Sequence, residues 1–188
     1  MTSTGEHLER RTFTSFDTST AEDWAVIRAQ MKVSQAMVAE HVLMLLRALA
    51  SDHGGYPVTR LEHSLQTATR AERDGRDDEY VLCSLIHDIG DTLAPYDHPA
   101  IAATILRGRV SEANLFMVEQ HGVFQGIYFW HYIGQDQHAR EQFRDSPFFD
   151  RTAEFCALYD QVSFDPDYLS EPLEHYEPLV REFFAARL

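Results

Sequence analysis

The stretch Leu82-Cys83-Ser84-Leu85-Ile86-His87-Asp88-Ile89-Gly90-Asp91 constrains this chain more than any other. Val81, Leu82, Leu85, Ile86 and Ile89 recur at helical spacing, which predicts a core-facing helix from about Asp77 to Ile89, stopped by Gly90. An adjacent histidine and aspartate in such a stretch are costly to bury unless something pairs with them. Neighbouring residues on a helix diverge by about 100°, so the two side chains fan out from a shared edge. That arrangement suits two groups reaching into one metal-lined cavity, with the carboxylate able to touch two cations.

The remaining segments also read as helices. A short one is expected from Glu22 to about Met31, and Ser34 opens a stronger one with an apolar stripe of Met37, Val38, His41, Val42, Leu45, Leu46 and Leu49, ended by Gly54-Gly55. Thr59-x-x-Glu62 is a capping-box signature, followed by a buried face of Leu61, Leu65, Ala68 and Ala71 and a stop at Asp74-Gly75. A loop from Thr92 to Asp97 delivers His98 at the start of a helix, with Pro99 at its first position, where a missing N–H costs nothing. Ser111 caps a helix expected to end at His121-Gly122, and an aromatic segment follows from Phe124 to Ile133, closed by Gly134. Two last helices fit about Arg151–Ser163 and Glu174–Arg187. With no strand pattern, repeat or linker, the expectation is a single all-α domain over 21–188. A loosely ordered Ser/Thr-rich tail over 1–20 precedes it, available as an arm across a neighbouring subunit in a homo-oligomer.

A length of 188 residues and a hydrophobic fraction of 44% allow a substantial core in one domain. The net charge of −14 argues against nucleic acid or an anionic membrane as partner, since both attract basic surfaces. The longest apolar run, Val42 to Leu46, is too short to span a bilayer. Cys83 and Cys156 stand apart without C-x-x-C spacing and read as reduced, buried thiols of a cytoplasmic protein.

Chemistry concentrates in His63, His87, Asp88, His98, His121 and Asp160, each set within or beside apolar residues where an unpaired polar group is penalised. Four imidazoles and two carboxylates suffice for two cations sharing Asp88 as a bridge, with positions left for substrate or water. Imidazole and carboxylate without thiolate favour iron, manganese or another borderline cation over a closed structural zinc site. His7, His138 and His175 lack such surroundings and read as ordinary surface histidines.

In this order the six residues resemble the HD-domain superfamily. Leu61-Glu62-His63-Ser64-Leu65-Gln66 and Leu85-Ile86-His87-Asp88-Ile89-Gly90 are similar to its PhnZ/TmpB-like branch, the mixed-valent diiron oxygenases that degrade phosphonates and are distantly related to myo-inositol oxygenase. The likeness covers roughly residues 56–165. It implies a helical bundle around two iron ions, Fe(II)/Fe(III). His63, His87, Asp88 and Asp160 would hold one iron, and the shared Asp88 with His98 and His121 the other. It further implies O2 and a small phosphonate as reactants, with cleavage of the C–P bond and no catalytic residue beyond the metal cluster.

Departures from that pattern bear on substrate. Branch members acting on 2-amino-1-hydroxyethylphosphonate carry a Tyr-x-x-Glu pair where this chain has His53 and Tyr56, a histidine where it has Asp91, and a phosphonate-binding lysine where it has Gln125. A trimethylammonium group cannot donate hydrogen bonds and is held best by aromatic faces and a nearby carboxylate. Tyr56, Phe124, Tyr128, Phe129, Trp130 and Tyr132 supply rings and Asp91 a charge. The implied substrate is (R)-1-hydroxy-2-(trimethylammonio)ethylphosphonate, converted to glycine betaine and phosphate. Arg60, Arg140 and Arg144 are the candidate phosphonate cations. The alternative is an HD-type phosphohydrolase acting on a nucleotide or another phosphate ester with metal-activated water.

Overall fold

A computed structural model describes residues 10–51 and 53–185. It is all-helical, with no strand among those residues. Eight helices follow in order: α1 (Ala21–Ala36), α2 (Val38–Ala48), α3 (Arg60–Arg73), α4 (Asp78–Ile86), α5 (His98–Leu106), α6 (Glu112–Phe129), α7 (Phe149–Phe155) and α8 (Leu173–Ala185). A π-helical turn, Cys156–Asp160, extends α7. Helix α3 packs on α4, α5 on α6, α6 on α7, and α2 on α8, while the π turn lies against α3.

The core that joins these pairs is made by Leu43, Leu46 and Leu49, by Leu82, Leu85, Ile86 and Ile89, and by Phe124, Phe155 and Phe184, all buried. Each such side chain contributes about 1.5–3 kcal/mol relative to exposure. Helix α1 is different. It buries only Asp23, whose carboxylate closes a capping box with Thr20 and pairs with Arg11 at 2.7 Å. Residues 1–9 of the expected tail and the end of the last helix beyond Ala185 lie outside the described residues. Within the tail, Phe16–Thr18 forms a short 3-10 turn and Phe16 packs against Trp24.

Several boundaries differ from the sequence expectation. The N-terminal helices divide at Met37 instead of near Lys32, because α1 has a cap at Thr20 and continues to Ala36. In the stripe of α2, Val42, Leu46 and Leu49 are buried, but Met37 and His41 face outward, and Ala39 and Leu43 turn in instead. Helix α6 continues through His121-Gly122 to Phe129. A mid-helix glycine costs about 1 kcal/mol, and at Gly126 close packing requires it: an added Cβ would sit 2.4 Å from the Trp130 ring. No single described helix is long and apolar enough to cross a membrane. Among the described residues, one bent pair meets that length and composition, α1 with Val38–Ser51, bent by 45°.

The most consequential difference lies at the central motif. Helix α4 ends at Ile86, and His87 to Leu93 run on as tight turns through Ile89 N–H to Ile86 O, Asp91 N–H to Asp88 O and Leu93 N–H to Gly90 O. Ile89 is fully buried although it is not helical, which is why its spacing mimics a longer helix. Here the start of α5 crosses Gly90 so closely that a Cβ would lie 2.6 Å from the His98 carbonyl oxygen and from Ile101 Cβ. Gly90→Ala must therefore push α5 away from the turn. It should cost about 1–3 kcal/mol of stability by urea unfolding, with a loss of bound metal beyond that of an equally destabilised variant elsewhere in the core.

Candidate metal centre

Each histidine is delivered by the end of a helix or by its local register. The Thr59–Glu62 capping box, with Thr59 N–H to Glu62 Oε2 at 2.6 Å and Glu62 N–H to Thr59 Oγ1 at 3.1 Å, starts α3 and sets His63 at the close of its first turn. His87 follows the last residue of α4, His98 is the first residue of α5, and His121 sits inside α6. All four rings are anchored through Nδ1 to a backbone carbonyl. His87 meets Ser84 O at 2.8 Å, His98 Pro95 O at 3.1 Å, His121 Val118 O at 2.7 Å and His63 Ser163 O at 2.9 Å. A carbonyl can only accept, so each Nδ1 carries the hydrogen and each neutral ring presents its Nε2 lone pair to the interior.

Those lone pairs converge. His63 Nε2 and His87 Nε2 are 3.2 Å apart, and so are His98 Nε2 and His121 Nε2. Asp88 stands between the two pairs. Its Oδ1 lies 3.0 Å from His98 Nε2 and 3.1 Å from His121 Nε2, while its Oδ2 lies 3.4 Å from His63 Nε2 and 3.6 Å from His87 Nε2. Asp160, at the end of the π turn, brings Oδ1 to 3.3 Å from His63 Nε2 and 3.8 Å from His87 Nε2. Its Oδ2 is buried without a hydrogen-bond partner. Two acceptor nitrogens facing each other at hydrogen-bond distance repel unless a proton or a cation lies between them. The donor set, the facing lone pairs and the orphaned Asp160 oxygen fit cations. His63, His87 and Asp160 form one group able to hold an ion, and His87, Asp88 and His121 another.

The electrostatics make the same demand. Burial pushes the Asp88 carboxyl up, but the charges of His87 and His98 and hydrogen bonds from His121 and His98 outweigh it and hold Asp88 well below the usual carboxylate range. Burial likewise raises Asp160, yet hydrogen bonds from His63 and His87 hold it low. On His87 burial opposes the charged form, but Asp88 and Asp160 raise it to about 9; on His98, Asp88 overcomes burial to the same effect. Two buried carboxylates thus require compensating positive charge, which imidazolium protons supply without metal and divalent cations supply with it.

A cavity of about 360 Å³ opens over the cluster. His63, Asp88, His98, His121 and Asp160 form its floor, and Tyr56, Tyr128, Phe129 and Phe164 its walls. Gln125 lines it too, with Nε2 donating to Asp160 Oδ1 at 2.9 Å and a buried Oε1 that has no partner. Of the other aromatics, Phe124 is wholly core, Trp130 packs on Gly126 and Tyr132 is 80% exposed. Arg60 reaches the rim with its guanidinium 4.2 Å over the Tyr56 ring, but its charge is met by Asp91 Oδ2 at 2.5 Å. Asp91 does not line this cavity. Its carboxyl is pushed up by burial and by Asp88, with Arg60 opposing. Arg140 and Arg144 lie elsewhere, paired with Glu141 and set against the Phe149 ring. Sequence reasoning missed Phe164, whose ring stacks on His63 at 4.3 Å and on Tyr56 at 5.2 Å, and Gln161. The available signal was their position, four and one residues after Asp160.

No family model matches this chain. A segment of 36 residues, 19% of the chain, is 53% identical to "[1-hydroxy-2-(trimethylamino)ethyl]phosphonate dioxygenase (glycine-betaine-forming)" of Leisingera caerulea. The match spans 18% of that relative's length. The chain is related to an oxygenase over this short stretch.

If Asp88 joins two cations, its amide cannot replace it. Purified protein should carry about two metal ions per chain. Asp88→Asn should reduce that to fewer than one, and His98→Ala to about one, with far-UV circular dichroism unchanged in both. Full metal content after Asp88→Asn would remove the shared carboxylate, and full content after His98→Ala would remove that ligand.

Proposed function

We propose that this chain is an O2-dependent diiron oxygenase with an HD-type domain over residues 21–188, acting on a 1-hydroxyalkylphosphonate. The reading is carried by the position of Asp88, which turns one carboxylate oxygen toward His98 and His121 and the other toward His63 and His87. The short identity to a phosphonate dioxygenase supports it and suggests the substrate. That substrate is (R)-1-hydroxy-2-(trimethylammonio)ethylphosphonate, and the products are glycine betaine and phosphate.

The reaction balances with one dioxygen and no external reductant. The C–P bond and the C–H bond of the hydroxylated carbon break, the carboxylate gains one oxygen over the alcohol, and phosphate gains one over the phosphonate. His63, His87, Asp88 and Asp160 would hold one iron, and Asp88, His98 and His121 the other. When bound, the iron pair supplies the one-electron chemistry and the Lewis acidity that activate dioxygen and the hydroxyphosphonate.

The chain's own groups bind, orient and exclude water. Tyr56, Tyr128, Phe129 and Phe164 give the cavity faces suited to a trimethylammonium group, and they keep bulk water from the cluster. Gln125 holds Asp160 Oδ1 and so fixes the orientation of that carboxylate. Arg60 lines the cavity with its charge met by Asp91, so a phosphonate there would have to share or displace that carboxylate. No protein nucleophile is required. Cys156 donates to the His121 carbonyl at 3.5 Å, and burial holds its thiol well above its ordinary pKa, so it stays protonated.

Incubation of iron-loaded protein with the quaternary hydroxyphosphonate should release phosphate in air at least about a hundredfold faster than under argon, with glycine betaine in equal amount. Phosphate release that is indifferent to oxygen, or release from nucleotides in its place, would instead identify a phosphohydrolase.

A further inference from the structure

Behind the wall formed by Tyr56, Arg60, His98 and Phe129 lies a second cavity of about 710 Å³, larger than the one over the metal centre. It shares those four residues and Gly122 with the inner cavity, so the two spaces adjoin. Trp130, Tyr96 and Ile133 belong to the outer space alone, while Tyr128, Gln125 and Phe164 belong to the inner one alone. We propose that this outer cavity is a separate binding site for a quaternary ammonium cation, occupied before the cation passes to the metal centre.

Three observations carry this. The first is the kind of wall. Trp130, Phe129, Tyr56 and Tyr96 bring four aromatic side chains to one space, and indole is the best of the aromatic faces for a cation that can donate no hydrogen bond. Trp130 is held in place by the absent side chain of Gly126, against which its ring packs. The second is the balance of charge. Arg60 is neutralised by Asp91 at 2.5 Å, Glu119 by Arg107 at 3.0 Å, and His98 by Asp88 at 3.0 Å. Asp97 remains as the net charge of the lining: it precedes α5, yet its side chain makes no capping hydrogen bond. The third is position. The outer space adjoins the inner cavity along Tyr56, Arg60, His98, Gly122 and Phe129, and Tyr96 in its lining is fully exposed, so a ligand meets solvent on one side and the inner site on the other. The chain's net charge of −14 raises the local concentration of any cation at its surface.

The choice of a quaternary ammonium ligand rests on the substrate proposed above, but the binding itself needs neither iron nor oxygen. The test therefore uses the metal-free full chain and tetramethylammonium chloride, followed by line broadening of the methyl protons. Saturable broadening is expected with half-saturation at ~1–10 mM, not reproduced by equal concentrations of sodium chloride. Trp130→Leu should weaken it at least about fivefold and Asp97→Asn about two- to threefold. Tyr132→Leu, at an 80% exposed ring that lines neither cavity, should leave it unchanged. Should Trp130→Leu lose its helical circular dichroism, Tyr96→Ala replaces it, since a fully exposed side chain can be removed without loss of packing. Absence of saturable binding, an equal effect of sodium chloride, or binding unchanged in Trp130→Leu (in Tyr96→Ala where that replaces it) would overturn the proposal. Binding without oxygen-dependent phosphate release would leave the outer site standing and remove the oxygenase; the reverse pattern would do the opposite.

Discussion

A buried carboxylate with no lysine or arginine beside it must find positive charge elsewhere, and among the described residues the cationic partners of Asp88 are imidazoles. Removing an anion from water costs several kcal/mol even after the protein relaxes. Asp160 adds a second such demand within reach of the same rings. The four histidines answer it in a consistent way. Each spends Nδ1 on a backbone carbonyl, which leaves every Nε2 facing inward and unable to bond its neighbours as a neutral ring. The site is balanced only when protons or cations fill the space between the lone pairs, and the fold keeps that space at the junction of α3, α4, α5, α6 and the π turn.

Helix ends do most of the positioning. His63 closes the first turn of α3, His87 lies just past α4, His98 opens α5 and Asp160 ends a π turn; only His121 sits within a regular helix. An end offers carbonyls that no intrahelical donor claims, as Ser84 O does for His87. A π turn shifts register by one residue and so re-aims a side chain that a regular helix would turn away. Gly90 lets the start of α5 come within van der Waals contact of the His87–Asp91 turn, which brings His98 and Asp88 to 3.0 Å.

Around this charged floor the walls are aromatic, and the ionic groups at the rim are already paired. Arg60 is sandwiched between the Tyr56 face and the Asp91 carboxylate, so neither charge acts alone. The sequence assigned Asp91 to a ligand's cation and Arg60 to its anion; in the folded chain they hold each other, and Asp91 sits outside the inner cavity.

Much of the fold was legible because it depends on neighbours in sequence. The Thr59–Glu62 box, the Asp74-Gly75 stop, the Pro99 start and the all-helical character are set by interactions spanning a few residues. So was the gathering of the six polar residues, since all but His98 are buried among apolar neighbours and buried polar groups must meet partners. What the tertiary structure alone decided involves residues far apart in the chain. The end of α4 before His87 was hidden because Ile89 is buried by packing, and burial leaves the same apolar mark in a turn as in a helix. The passage of α6 through Gly122 and Gly126 runs against local propensity, while α6 packs on α4, α5 and α7. The stacking of Phe164 on His63 and the Arg60–Asp91 pair are likewise choices among partners that sequence spacing does not rank. Local hydrogen bonds and hydrophobic period are written along the chain, whereas the identity of a distant partner is settled only when the packed core fixes which surfaces touch.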